Sequence, residues 1–292
     1  MYEGPLSFIE EITSSLCSGG EDNRCSIYNR NFIIAMPTDN KHDLPSDEIF
    51  YDADSTSEIM VDPYLRSLCK ECSIDTATID QIKKLILPAE ADDLTIVRFL
   101  IGTDLEIKTA ALKLKEDIEW RAKIQPTNLK RENMLVMIDS GEVQVLNLPD
   151  KNGYPTIFIR ARLHKAYKYP DTANYQEFML YTVEKLLQSN VRVSAIADIS
   201  AFGWKNLDIS FIVDAIRIYN DHYPERLGDL IFISGQFWFE YGFRICKHLL
   251  GPRTLPRVHY LKTLQELEKF IDPIALPEDC SLIKTPTIST VS

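Results

Sequence analysis

The sequence predicts an α/β protein: an N-terminal helical lobe, then a mainly parallel β-sheet flanked by helices. Three observations carry this. Between residues 60 and 135 apolar side chains recur at helical spacing, with no strand-like run among them. From Ser140-Gly141 onward, short β-branched and aromatic runs alternate with helical segments, the pattern of right-handed crossovers. Leu230-Ile231-Phe232-Ile233 is apolar throughout, like a parallel-sheet strand buried on both faces. A chain of 292 residues is long enough to bury such a core without disulfide staples.

Residues 1–57 stand apart. They hold eleven acidic against three basic side chains, so most of the chain's net charge of −11 sits there. Ser18-Gly19-Gly20 and Pro37-Thr38-Asp39-Asn40 add turn chemistry. The segment reads as largely disordered or irregular. Leu6, Ile9, Ile12 and Leu16 at helical spacing, and Phe32–Met36, are its two candidate docking stretches.

The helical lobe, residues 60–135, starts where Pro63 opens a helix through Leu65, Leu68, Cys69 and Cys72. Ile79, Ile82, Leu85 and Ile86 mark a second helix, stopped by Pro88. Asp92-Asp93 suit the positive dipole end of a third, which runs to Gly102. Leu105–Ala122 is amphipathic, with Ile107, Ala111, Leu114, Ile118 and Arg121 near one side.

The α/β lobe spans residues 136–280. Val143, Val145 and Leu146 form a strand, Asp150-Lys151-Asn152-Gly153 a hairpin turn, and Thr156–Ile159 the returning strand. A helix over 173–189, a strand Val191–Ile199 and a helix Leu207–Tyr219 follow. Then come the strand Leu230–Ile233, an aromatic helix Phe237–Leu250, and a strand Val258–Leu261. A helix Thr263–Ile271 has Thr263 as its N-cap. Residues 281–292 form a polar, flexible tail.

Composition excludes several classes. The acidic balance argues against affinity for nucleic acid through phosphate neutralisation. No apolar run approaches the roughly 18 residues that a bilayer span needs. The opening Met1-Tyr2-Glu3-Gly4-Pro5 lacks the basic and apolar regions of a secretory signal, which points to a cytoplasmic protein. The six cysteines then read as free thiols, and Cys69-x-x-Cys72 lacks the second ligand pair of a zinc site.

Catalytic motifs are missing too. There is no G-x-G-x-x-G, no G-x-x-x-x-G-K-[ST], no G-x-S-x-G and no H-E-x-x-H. Asp198, near a strand C-terminus, is a lone carboxylate with a structural reading. No catalytic residue, metal ligand or cofactor is expected. What remains is hydrophobic. Phe237-Trp238-Phe239-Glu240-Tyr241-Gly242-Phe243 puts aromatics on nearly every face of one helix. Such a helix is either fully buried, or has core on one side and a greasy cavity or membrane on the other.

These residues resemble the lipid-gate region of CRAL-TRIO lipid-binding proteins, such as those that transfer phosphatidylinositol. The likeness runs from Tyr223-Pro224-Glu225-Arg226-Leu227-Gly228 through the aromatic helix to Leu250-Gly251-Pro252-Arg253-Thr254. Asp93–Leu100 and Glu119-Trp120-Arg121 are similar to the family's helical lobe, and Asp150–Pro155 to its D-x-x-G-R-P hairpin. Asp198 followed by Gly203, and Leu276-Pro277-Glu278, match two further motifs in altered form. The likeness covers about residues 60 to 280.

The resemblance implies a sheet that floors an apolar lipid pocket, with Val193, Ala195, Ile212 and Phe232 lining it. It makes Phe237, Trp238, Phe239, Tyr241 and Phe243 the mobile gate and membrane contact. Glu225 and Arg257 become the headgroup candidates, with a surface ion pair as their other reading. Phosphoinositide-binding relatives also use two hydroxyl side chains, at the positions of Val193 and Ala195, and a basic residue where Ile101-Gly102-Thr103 stands. Those polar contacts are lost here, which favours a more apolar cargo such as a sterol, isoprenoid or long-chain alcohol.

The function expected is non-enzymatic binding and intermembrane transfer of a lipid by a peripherally membrane-associated protein. The implied partners are the lipid, a transient membrane surface, and a protein bound through residues 1–57. The rival reading is a trafficking or signalling adaptor that keeps the fold without transfer activity.

Overall fold

The computed structural model describes residues 63–131, 135–164, 172–187, 192–203, 206, 208–235 and 253–283. These belong to one compact unit, residues 60–292. Residues 1–57 and the aromatic segment 237–250 lie outside the described residues.

Four helices open the unit, and local chemistry places their ends. Helix α1 is Pro63–Glu71, and α2 is Thr76–Ile86, capped by the Asp75 carboxylate accepting from Thr78 N at 2.8 Å. Helix α3 is Asp93–Gly102, capped in the same way by Asp92. Helix α4 is Ile107–Ile124, two residues later at both ends than the pattern predicts. The reason is the turn before it. Asp104 and Leu105 both have positive φ, 51° and 68°, and Leu105 N donates to Leu100 O, closing α3. Ile82 and Ile86 of α2, Ile96, Phe99 and Leu100 of α3, and Ala110, Ala111 and Leu114 of α4 form this lobe's main core.

After the short helix α5 (Leu135–Asp139) comes the sheet. Its strands are β1 (Val143–Val145), β2 (Thr156–Arg160), β3 (Val193–Asp198), β4 (Leu227–Ile233) and β5 (Val258–Leu261). They lie side by side in chain order. β1 and β2 pair antiparallel through the hairpin, and the other three pairings are parallel. Helices α6 (Thr172–Leu187) and α7 (Ile209–His222) supply crossovers. The last helix, α8, is a single turn, Leu264–Leu267, rather than the predicted 263–271. Thr263 and Glu266 close a capping box at its start.

Two further boundaries shift for visible reasons. Asp208 caps α7 through Phe211 N at 3.0 Å, so the helix begins at Ile209, not Leu207. β4 begins at Leu227 because a bulge sets Val193 opposite Leu227 and Ala195 opposite Leu230.

Each face of the sheet has its own covering layer. On one, Ile157, Val193 and Ala195 pack with Phe178, Leu180 and Leu187 of α6. On the other, Phe158, Ile196, Ile231 and Ile233 pack beneath Leu267, Ile271, Leu276 and Cys280 of the C-terminal segment. Among the described residues no helix is long and apolar enough to cross a membrane.

Candidate functional site

Strand β4 does not match the expectation of burial on both faces. Ile231 and Ile233, under the C-terminal layer, are 2% and 0% exposed. Leu230 and Phe232, on the opposite face, are only half-buried. An all-apolar strand hides this difference, because the two faces are chemically alike in sequence. The register shows what shares the open face. Ile157, Ala195, Leu230 and Val258 lie in one row, and Ile159, Ala197, Phe232 and Tyr260 in the next. Ala197 is the small member of its row, and with Ile199 and Phe202 it forms a cluster that Phe232 and Tyr260 join. The Tyr260 hydroxyl donates to Gly235 O at 2.6 Å.

The four pocket candidates are not gathered in one place. Val193 and Ala195 are buried in the core under α6, Phe232 lies in the neighbouring cluster, and Ile212 stands 42% exposed on α7. The gate candidates Phe237, Trp238, Phe239, Tyr241 and Phe243 lie outside the described residues.

Glu225 and Arg257 do meet, but not at the surface. Their ion pair is 3.0 Å long, with side chains 5% and 14% exposed. This corrects the surface-pair reading, and the reason is topological. Glu225 sits at φ 55° in the turn between α7 and β4, and that turn lies against the residues entering β5. Arg257 also donates to Leu227 O at 2.8 Å, and the buried Arg98 of α3 donates to Glu225 O at 2.7 Å. Two guanidinium groups therefore hold one turn, joining the helical lobe to the sheet.

Other polar residues gather at this N-terminal edge of the parallel strands, and motif reading missed them. A cleft of about 260 Å³ is lined by Asn152, Tyr154, Arg192, Gly228, Asp229 and Arg257. Arg192 is buried, with its guanidinium 5.5 Å from the Tyr154 ring centre. Tyr154 stands where the family's D-x-x-G-R-P hairpin has arginine, and that substitution was the available signal. The Tyr219 hydroxyl is buried without a hydrogen-bond partner among the described residues, and burial drives its pKa upward.

The hairpin is organised by Asp150. Its carboxylate accepts from Asn152 N (2.8 Å), Tyr154 N (2.9 Å) and the Ser194 hydroxyl (2.6 Å), while burial raises its pKa. Ser194 Oγ in turn accepts from Asp229 N at 2.9 Å. His259 lies 2.8 Å from the other side of Asp229.

Asp198 is wholly buried and structural: it accepts from Ser200 N and from Ser281 N and Oγ. Cys69 and Cys72 are partly buried thiols at the end of α1, and Cys280 is buried. No group of His, Cys, Asp or Glu able to hold a metal occurs among the described residues.

Comparison with known proteins bears on the same region. The model of the CRAL/TRIO domain matches residues 139–281. The phosphatidylinositol transfer protein CSR1 of Eremothecium gossypii is 24% identical over 220 residues, covering 70% of this chain and 50% of that protein. The phosphatidylinositol/phosphatidylcholine transfer protein SFH4 of Arabidopsis thaliana is 25% identical, covering 66% of this chain and 36% of its own length. The chain thus spans half or less of these relatives. A crystal structure of Sfh5 aligns with a TM-score of 0.46 at 14% identity, covering 56% of this chain and 66% of that one. The hairpin, the sheet, the half-open face of β4 and the C-terminal layer all fall inside the matched span: residues 139–281 are a CRAL/TRIO domain.

Proposed function

We propose that this protein binds a lipid against the half-buried Leu230 and Phe232 of its sheet and carries it between membranes. One observation supports this above the others: within a CRAL/TRIO domain, Ile231 and Ile233 of β4 are sealed on one face, while Leu230 and Phe232 on the other are only half-buried. Apolar side chains that stay only half-buried, as Leu230 and Phe232 do, offer contact to something equally apolar. The energetics suit a carrier. Each methylene moved out of water gains about 0.8 kcal/mol, so a long-chain lipid leaves a bilayer for water very slowly. A protein that takes up the chain directly removes that barrier. In this reading Phe237, Trp238, Phe239, Tyr241 and Phe243 cover the ligand during transit and face the membrane during exchange. No step requires covalent chemistry.

The test is transfer of labelled lipid from donor to acceptor vesicles. The protein is expected to accelerate transfer above the spontaneous rate. The double variant Trp238→Ala/Phe239→Ala should slow it while leaving the thermal melt unchanged. If neither transfer nor bound lipid is detected with any vesicle composition, the reading is wrong.

A further inference from the structure

We infer that Cys69 and Cys72 form a reversible disulfide that reshapes the last turn of α1, making it a redox-sensitive site. The pair plays no part in lipid transfer as proposed above.

The first ground is spacing at a helix end. Cys72 N donates to Leu68 O at 2.8 Å, and Ile74 N to Cys69 O at 3.0 Å, so both cysteines lie in the closing turn of α1. Residues three apart on a helix share a face, with Cα atoms about 5 Å apart. A disulfide accepts Cα separations of about 4.4–6.8 Å. The Cβ atoms start about 5–6 Å apart and must approach to roughly 4 Å, so the turn has to tighten. Ser73, at φ 51°, ends the helix just there, and Cys72 lies past its last residue, Glu71. A helix end yields where a helix interior would not.

The second ground is access. Both are free thiols and only partly buried, so an oxidant can reach them, whereas Cys280 is buried. Cys69 packs beside Leu65, Leu68, Val97 and Ile101, where α1 meets α3. Burial, and then the neighbouring Cys72, push the Cys69 thiol pKa up, against the charge of Arg98. Cys69 is thus the slower nucleophile, and the first attack falls to Cys72. The Cys72 thiolate attacks one sulfur of a small disulfide such as oxidised glutathione and expels one glutathione thiolate. Cys69 then loses its proton, attacks the Cys72 sulfur of the mixed disulfide and expels the second. The protein gives up two electrons and two protons, and one oxidised glutathione becomes two glutathione thiols. A bond made by tightening a helix turn is strained, and a strained disulfide is readily reduced again.

The experiment uses the full chain, reduced and then incubated with oxidised glutathione. Remaining thiols are blocked with iodoacetamide before digestion with trypsin and mass spectrometry. Trypsin cuts after Lys70, between the two cysteines, so residues 67–70 and 71–83 stay joined only through the new bond. The expected result is that joined pair, split by dithiothreitol, with faster amide hydrogen exchange across residues 68–74 of the oxidised protein. Both cysteines recovered alkylated, both capped by glutathione, or either joined to Cys17, Cys25, Cys246 or Cys280, overturns the proposal. Unchanged exchange in the joined form overturns the reshaping of α1. The variant Cys69→Ser should keep glutathione on Cys72, with nothing to displace it. A Cys72 left bare in that variant overturns the order of attack.

Discussion

The carboxylate of Asp198 accepts two hydrogen bonds from Ser281, from the backbone nitrogen and from the hydroxyl, both 2.9 Å long. A carboxylate at the C-terminal end of a parallel strand is where an α/β enzyme keeps its chemistry. Here it is a rivet. It joins β3 to a segment 83 residues further on, and Ser281 Oγ continues the link to Ser234 Oγ at 2.7 Å. Asp198→Ala leaves the Ser200 and Ser281 amides without their acceptor, so a loss of about 2–4 kcal/mol is expected. Urea unfolding checks it, and an unchanged midpoint would remove the rivet from the account.

Arg121 joins three helices. Its guanidinium reaches Asp117 on α4 (3.0 Å), Glu184 on α6 (2.9 Å) and the His222 carbonyl at the end of α7 (3.1 Å). Tyr223 also donates to Glu184, and Trp120 stacks on His222 at 3.9 Å. A lysine keeps the charge but has no fork to serve three acceptors. Arg121→Lys is expected to cost about 1–3 kcal/mol in chemical denaturation, most of what Arg121→Met costs. Wild-type stability in the lysine variant would show that charge alone suffices.

Asp279 accepts from both Arg160 and Arg162, which hold its carboxyl down at about 2. A group whose pKa falls on folding contributes stability above its unfolded value and loses it as pH drops through the folded one. The contribution of this clasp is therefore complete above about pH 4 and lost on the way to pH 2. In acid titrations followed by circular dichroism, Asp279→Asn should differ from wild type at neutral pH and converge with it near pH 2. A gap that persists there would contradict the assignment.

His164 has the opposite sign. Burial pulls its pKa down, but Glu142 at 2.9 Å and Asp208 at 3.7 Å outweigh that and raise it above 6.5. The protonated bridge ties the start of β1 to the cap of α7, with the Phe211 ring 5.9 Å away. Its stabilisation is full below pH 6.5 and drains away as pH rises through the raised value. The melting-temperature advantage of wild type over His164→Gln should shrink across that window. A constant difference from acid to alkaline pH would show that the imidazole acts only by packing.

Gly228 is required by crowding. A Cβ there would lie 2.2 Å from Ser194 Oγ and 3.0 Å from the Tyr154 ring. Ser194 cannot yield without releasing Asp150 or the Asp229 amide. Gly228→Ala is expected to destabilise by about 1–3 kcal/mol, measured by thermal or urea unfolding. Full stability in that variant would mean the hairpin contact is looser than described.

What the sequence reveals is mostly local. Pro63, the Asp92 cap and the Thr263–Glu266 box each announce a helix start through bonds within four residues. The strand at 230–233 is visible from its β-branched and aromatic content. The site is harder to read, because its determinants are distant in sequence. Arg98 and the Glu225 carbonyl are 127 residues apart, and Arg257 and Glu225 are 32 apart. Nothing near Glu225 announces its positive φ, since that conformation is common only for glycine. The half-open face of β4 is invisible for another reason: Leu and Phe on one side and Ile on the other are equally hydrophobic, and only the covering layer distinguishes them.

The order of the strands has a consequence for synthesis. Because β1 to β5 lie in the sheet in the order they are made, each parallel strand leaving the ribosome finds its neighbour already in place. The sheet can be laid down from one edge to the other, without waiting for a distant partner to thread between finished strands. The final twenty or so described residues then close the face over Ile231 and Ile233. Until they emerge, the nascent chain shows apolar surface on that side of its sheet. A chain stopped before Leu267 would thus be a substrate for chaperones rather than a smaller folded domain.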